Sequence, residues 1–151
     1  IMDITGKDDI PKDNLFVENT NKGCFAFIQN VDKDNLESIL NRMDIRPDVS
    51  FDHLSIPAHE VGYVNYIHKQ KDGKDIYYFT NTTENIISGK IILRGKIRKP
   101  ELWDPHTGSA EEISEVEYTK LEGRVYSTTV NISIPPVSSV FVVGVRNNEW
   151  K

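Results

Sequence analysis

The sequence predicts an α+β fold that is mainly β: an antiparallel β-sandwich of about seven strands preceded by a short strand–helix α/β element. Two observations carry this expectation. Apolar residues recur at the helical spacing only between Leu36 and Met43, and from about residue 60 the pattern switches to strict alternation. Turn signals then recur at short intervals up to Pro135-Pro136, which leaves room for strands but not for helices. The 151 residues suffice for one ordinary domain with a single core, and 38% hydrophobic with 27% charged residues is a globular balance.

Residues 1–20 are polar and acidic, with Asp8-Asp9-Ile10-Pro11-Lys12-Asp13, and are expected to form an extended lead-in with little core of its own. Residues 24–28, Cys24-Phe25-Ala26-Phe27-Ile28, are a continuous apolar run, as in a strand buried on both faces. Leu36, Ile39, Leu40 and Met43 make one apolar helical stripe. Asp32 or Asp34 can cap its N-terminus, Glu37 stands three residues after Asp34, and Pro47 blocks continuation. A lone strand–helix pair cannot bury both of its faces, so it needs a neighbour.

Tyr63 to Lys69 and Asp75 to Asn81 are two predicted strands joined through Asp72-Gly73, a tight-hairpin signal. Ile87 to Gly95 follows, with Ile87, Gly89, Ile91 and Leu93 on one face. Lys99 to Asp104 is stopped by Pro105-His106-Thr107-Gly108, and Ile113 to Tyr118 is a fifth strand. In Arg124 to Ile134, residues Tyr126, Thr128, Val130, Ile132 and Ile134 alternate with polar ones, so one face is wet. Val140 to Val145 is a last, densely apolar strand. The expected organisation is a lead-in with the strand–helix element over 1–59, a sandwich over 60–146 and a boundary tail over 147–151.

Composition excludes several function classes. The net charge is −5 and there is no basic stripe, so a nucleic-acid backbone would be repelled. No apolar run approaches the length of a membrane span, and the N-terminus carries no signal-peptide pattern. The lone Cys24 sits in an apolar run with no cation beside it and reads as a small buried hydrophobe.

No strong catalytic pattern is present. Glu111-Glu112, Glu115 and Glu117 are the densest acidic group, and Glu115 and Glu117 share a strand face best explained by solvation. His53, His59, His68 and His106 match no metal-binding spacing. His68 shares a predicted strand face with Val64 and Tyr66, as in a hydrogen-bonded, partly buried histidine. Nucleophile-elbow, Walker and dinucleotide fingerprints are missing. Asn81-Thr82-Thr83 and Asn131-Ile132-Ser133 match the glycosylation sequon, a short pattern of little weight. Trp103, just before a turn, and Trp150, in the tail, could serve as sugar platforms; core closure is the ordinary use of such aromatics. No catalytic, cofactor-binding or metal residue is assigned, no cofactor is implied, and sugar-binding residues are left open.

Five segments in order resemble glycoside hydrolase family 106, the α-L-rhamnosidase-like enzymes. They are Pro47-Asp48-Val49, Tyr66-Ile67-His68-Lys69, Asp75-Ile76-Tyr77-Tyr78-Phe79-Thr80-Asn81, Pro100-Glu101-Leu102-Trp103-Asp104-Pro105 with Thr107-Gly108, and Ser138-Ser139-Val140-Phe141-Val142-Val143. The resemblance spans about residues 45–145, with Lys69 standing where an Arg is expected. It implies that the catalytic carboxylates and any calcium site lie in an upstream barrel, that a further β-domain follows, and that the parent enzyme is exported to the periplasm or cell surface. The expected function is therefore a non-catalytic accessory domain that packs on, or shapes, the catalytic domain. An autonomous carbohydrate-binding module is the alternative, and a small stand-alone enzyme the third reading. Expected partners are other domains of the same parent chain and, second, carbohydrate, with no nucleic acid and no membrane.

Overall fold

The computed structural model describes residues 15–18, 24–28, 30–43, 45–52, 54–55, 63–120 and 126–146. The chain divides into two compact units, Ile1–Arg46 and Pro47–Lys151.

In the first unit, β1 (Leu15–Glu18) and β2 (Cys24–Phe27) pair antiparallel as a two-stranded sheet, with Leu15 opposite Phe27 and Glu18 opposite Cys24. A strand thus forms inside the stretch expected to be a plain lead-in. Helix α1 (Lys33–Arg42) follows. Asp32 is its N-cap, its carboxylate accepting from the Asn35 amide at 2.8 Å. Of the expected stripe, Ile39 is buried, Leu40 and Met43 are half-buried, and Leu36 is exposed. The helix ends at Met43, whose N–H bonds the Ile39 carbonyl, four residues before Pro47.

The second unit is an antiparallel sandwich. Its strands are β3 (Val49–Asp52), β4 (Val64–Lys71), β5 (Lys74–Asn81), β6 (Ile87–Arg94), β7 (Ile97–Trp103), β8 (Ala110–Glu112), β9 (Val116–Lys120), β10 (Tyr126–Ile134) and β11 (Ser138–Arg146). One sheet runs β3-β6-β10-β9 and the other β4-β5-β11-β7-β8. The two strands beyond the expected seven have simple origins. β3 has only four residues, too few to show alternation, and pairs Val49 with Leu93 and Phe51 with Ile91. The expected strand 113–118 begins only at Val116, as β9 paired with β10, and is preceded by a separate short strand, β8, paired with β7 in the other sheet; Ile113 in the connection donates to the Pro100 carbonyl.

Alternation sets the core. Tyr77 and Phe79 of β5, Ile87, Ile91 and Leu93 of β6, and Val130, Ile132 and Ile134 of β10 are all buried. Val140 and Val142 of β11 close it from the second sheet. The β4–β5 hairpin turns on Asp72 (φ 51°) and Gly73 (φ 75°), so both central residues are left-handed, as a two-residue primed turn requires. At the corner between β6 and β7 the chain changes sheets at Gly95 (φ 99°). Buried Thr128 stitches this corner: its hydroxyl donates to the Gly95 carbonyl at 2.7 Å and accepts from the Ile97 amide at 2.9 Å. Among the described residues no helix is long and apolar enough to cross a membrane.

Candidate functional site

The five-stranded sheet has an outer face, and its register gathers aromatic and apolar residues into one row. Ile67 lies opposite Tyr78, Tyr78 opposite Phe141, Phe141 opposite Trp103, and Trp103 opposite Ala110. One residue from each strand therefore crosses the whole sheet, at the interstrand spacing of about 4.8 Å. The inward neighbours Tyr77, Phe79, Val140 and Val142 are buried, so period-2 alternation sends Tyr78 and Phe141 outward. Their rings lie 4.8 Å apart, tilted by 45°. Ile67 is 56% and Trp103 38% exposed, large values for side chains of this kind on a sheet face. The Trp103 indole N–H donates to Glu101 at 2.8 Å, and the Lys74 ammonium stands 6.0 Å from the ring centre.

A concavity of about 630 Å³ opens over one part of this face. Its floor is Ile67, Ile76, Tyr78 and Phe141, with Ser139 beside them. Lys69, Gln70 and Lys71 of β4 form one side, and Pro105 and His106 form the other. The turn carrying Pro105 and His106 is built locally. Asp104 accepts from the His106 amide at 2.7 Å, the Gly108 amide bonds the Asp104 carbonyl, and Gly108 takes φ 75°. The His106 amide, with Thr107, holds the Asp104 carboxyl below its ordinary pKa. The volume falls in the range of small-ligand sites, and the lining combines an apolar floor with a few polar groups. Among the described residues no carboxylate lines it.

A second polar cluster, centred on buried Asp75 and largely covered His68, lies on the inner side of the same sheet. The ring of His68 is held at Nε2 by Asp75 (2.9 Å) and at Nδ1 by Asp48 (3.4 Å). It stacks on Tyr77 with centroids 4.1 Å apart and an interplanar angle of 7°. Arg94 contacts Asp48, and Arg146 approaches the other oxygen of Asp75 at 3.9 Å. Burial, followed by the nearby Asp75 and Asp48 charges, pushes the Tyr77 hydroxyl pKa upward. With both ring nitrogens facing carboxylates and one face covered, His68 presents no nitrogen to a ligand; the cluster ties β3, β4, β5, β6 and β11 together.

The remaining expected site residues are scattered. Glu111 and Glu112 lie on β8, where Glu112 opposes Glu101. Glu115, in the connection before β9 rather than on a strand, accepts from the Asn131 amide at 3.2 Å, and Glu117 on β9 pairs with Lys90 at 3.2 Å; both residues are exposed. Lys69 is exposed on β4. His53, His59 and Trp150 lie outside the described residues, as does the side chain of Cys24. Asn81 is 2% exposed and its amide is fully used, donating to the carbonyls of Asn85, Ile134 and Pro135 and accepting from Thr83. No sugar can be attached there without breaking the fold. Among the described residues no group of three or more His, Cys, Asp or Glu side chains is placed to hold a metal. The residue that spacing alone missed is Phe141: its place in the row depends on register with β5 and β7, and only the density of apolar residues in 140–145 hinted at it.

Residues 10–120 match the profile of glycoside hydrolase family 106, described as alpha-L-rhamnosidase. Among solved structures, the chain resembles a rhamnosidase from Novosphingobium sp. PP1Y with a TM-score of 0.59 and 28% identity over 83% of this chain. The match spans 11% of that rhamnosidase chain. No curated protein sequence matches. With the profile covering most of the chain and the sandwich reproduced in a rhamnosidase, this protein belongs to glycoside hydrolase family 106, the alpha-L-rhamnosidase family.

Proposed function

We propose that the chain is a non-catalytic accessory region of a larger rhamnosidase-like glycoside hydrolase, where it packs on the catalytic domain or shapes its entrance. The observation that carries this reading is the lining of the concavity. Glycoside hydrolysis ordinarily needs two carboxyl groups facing the scissile bond, about 5–9.5 Å apart. Here the carboxylates of the acidic group, Glu111, Glu112, Glu115 and Glu117, are exposed and none lines the concavity, whose described lining is lysines, a glutamine, a histidine, a serine and apolar side chains. The small share of the Novosphingobium rhamnosidase that the chain spans agrees with a supporting part.

The test is turnover of an aryl α-L-rhamnoside by the isolated 151-residue chain. The proposal expects the rate of buffer alone. Saturable turnover that disappears on replacing one carboxylate would overturn it.

A second reading, a carbohydrate-binding module, is favoured by one specific observation: the Ile67–Tyr78–Phe141–Trp103 row lies on an outer sheet face with Trp103 exposed. Aromatic faces of this kind pack against the C–H surfaces of pyranose rings. The two readings are compatible, since an accessory domain can hold the polymer that its neighbour cleaves.

A further inference from the structure

We infer that the concavity on the five-stranded sheet is a binding site for an acidic oligosaccharide, a chain of pyranose rings carrying carboxylate groups. The inference rests on the carbohydrate-binding reading and specifies its ligand.

Three features converge on that ligand class. The first is shape. A hollow of about 630 Å³ bounded by a strand edge and a tight turn suits one or two rings rather than a flat protein surface. The second is the floor. Tyr78 and Phe141 offer adjoining rings with centres 4.8 Å apart and planes tilted by 45°, and strand register continues the row to Trp103. A linear chain of stacked rings can follow such a row, because successive platforms recur once per strand.

The third feature is charge, which separates acidic from neutral sugars. The protein carries a net charge of −5, yet among the described residues the charged side chains that line the concavity are Lys69 and Lys71, and no carboxylate lines it. The register places them on the outward face: Lys69 lies opposite Ile76, and Lys71 opposite Lys74. Lys74 in turn reaches toward Trp103. Among the described residues neither Lys69 nor Lys71 is held in an ion pair, so their ammonium groups are available to a ligand. An acidic chain that places unpaired cations at an aromatic hollow is built to attract an anion there. Gln70 and His106 supply hydrogen-bonding groups at the sides, and Ser139 a hydroxyl at the floor.

The experiment is calorimetric titration of the 151-residue chain with tetragalacturonate and, as the neutral counterpart, cellotetraose. It is repeated with the Lys69→Gln/Lys71→Gln double variant and with Ile67→Ser, all three at exposed positions that leave the core untouched. The expected result is saturable binding of tetragalacturonate, at least about tenfold tighter than cellotetraose and weakened by salt. The lysine variant should lose roughly tenfold in affinity for the acidic sugar, and Ile67→Ser should weaken both sugars. Equal binding of the two sugars would overturn the acidic assignment while sparing the carbohydrate-binding reading. Binding unchanged in both variants would overturn the location. Binding of neither sugar would overturn both the inference and the reading on which it rests. If the variants instead weaken association with the rest of the parent enzyme, the face is a domain interface and the inference fails.

Discussion

Replacing Asn81 should cost more stability than replacing any exposed asparagine of the chain, and its aspartate variant should show why. The Asn81 amide nitrogen donates to Asn85 O at 2.8 Å, Pro135 O at 2.9 Å and Ile134 O at 3.2 Å. Its oxygen accepts from Thr83 N at 2.9 Å and Thr83 Oγ1 at 2.8 Å. These contacts tie the end of β5 to the loop before β6 and to the end of β10. A net value of about 1 kcal/mol per well-made hydrogen bond sets the loss in Asn81→Ala at roughly 3–4 kcal/mol, including the lost donor to the buried Ile134 carbonyl. Asn81→Asp keeps the shape and both accepting contacts but turns the donor into an oxygen facing three carbonyl oxygens in a site 2% exposed. At neutral pH that variant should be at least as unstable as Asn81→Ala.

The aspartate deficit should depend on pH in a fixed direction. Burial and the facing carbonyls raise the introduced carboxyl's folded pKa above its unfolded value. The variant is therefore most stable below the ordinary carboxylate range and loses stability as pH rises through the folded pKa. Urea unfolding followed by circular dichroism at acidic and neutral pH measures both effects. The reasoning is refuted if Asn81→Ala unfolds within about 1 kcal/mol of the parent chain, or if Asn81→Asp matches it at neutral pH.

Three further outcomes follow from other contacts. A Cβ added at Gly144 would sit 2.3 Å from Cγ2 of buried Ile97 and 3.2 Å from the Arg98 carbonyl oxygen, so Gly144→Ala should cost about 1–3 kcal/mol, and pairing it with Ile97→Ala should give less than the sum of the two losses in a thermal-unfolding cycle. Because burial raises the Tyr77 pKa, the neutral hydroxyl favours the fold up to the ordinary tyrosine value, and stability should fall as pH rises beyond about 10; Tyr77→Phe should blunt that fall, and identical alkaline unfolding curves for the two proteins would contradict it. Because the Asp104 pKa is lowered, the turn over the concavity should keep its order down through the usual carboxylate range and lose it only as pH drops through the lower folded value, read from the His106 amide signal by NMR.

Local chemistry was legible in the sequence where a few neighbouring residues decide the outcome. Asp72-Gly73 marks a hairpin because left-handed backbone is needed at both positions, and the alternation from Tyr126 to Ile134 marks a half-buried strand. Features decided at a distance were not legible. β3 is a strand because β6 lies beside it, not because four residues prefer to be one. The apolar Ile113 makes 113–118 read as one strand, although the chain crosses between sheets there. Asn81 reads as part of a sequon, since its partners at Ile134 and Pro135 lie some fifty residues away. The candidate site shows the same divide. Trp103 was visible as an aromatic before a turn, but the row it shares with Ile67, Tyr78 and Phe141 exists only once register is known.

The accessory role is tested most directly by deleting residues 47–146 from the full-length parent enzyme and measuring its thermal midpoint together with its aryl α-L-rhamnosidase rate. A region that packs on the catalytic domain should, when removed, lower the midpoint, the rate or both. A truncated enzyme that keeps both at the parent's level would contradict the account.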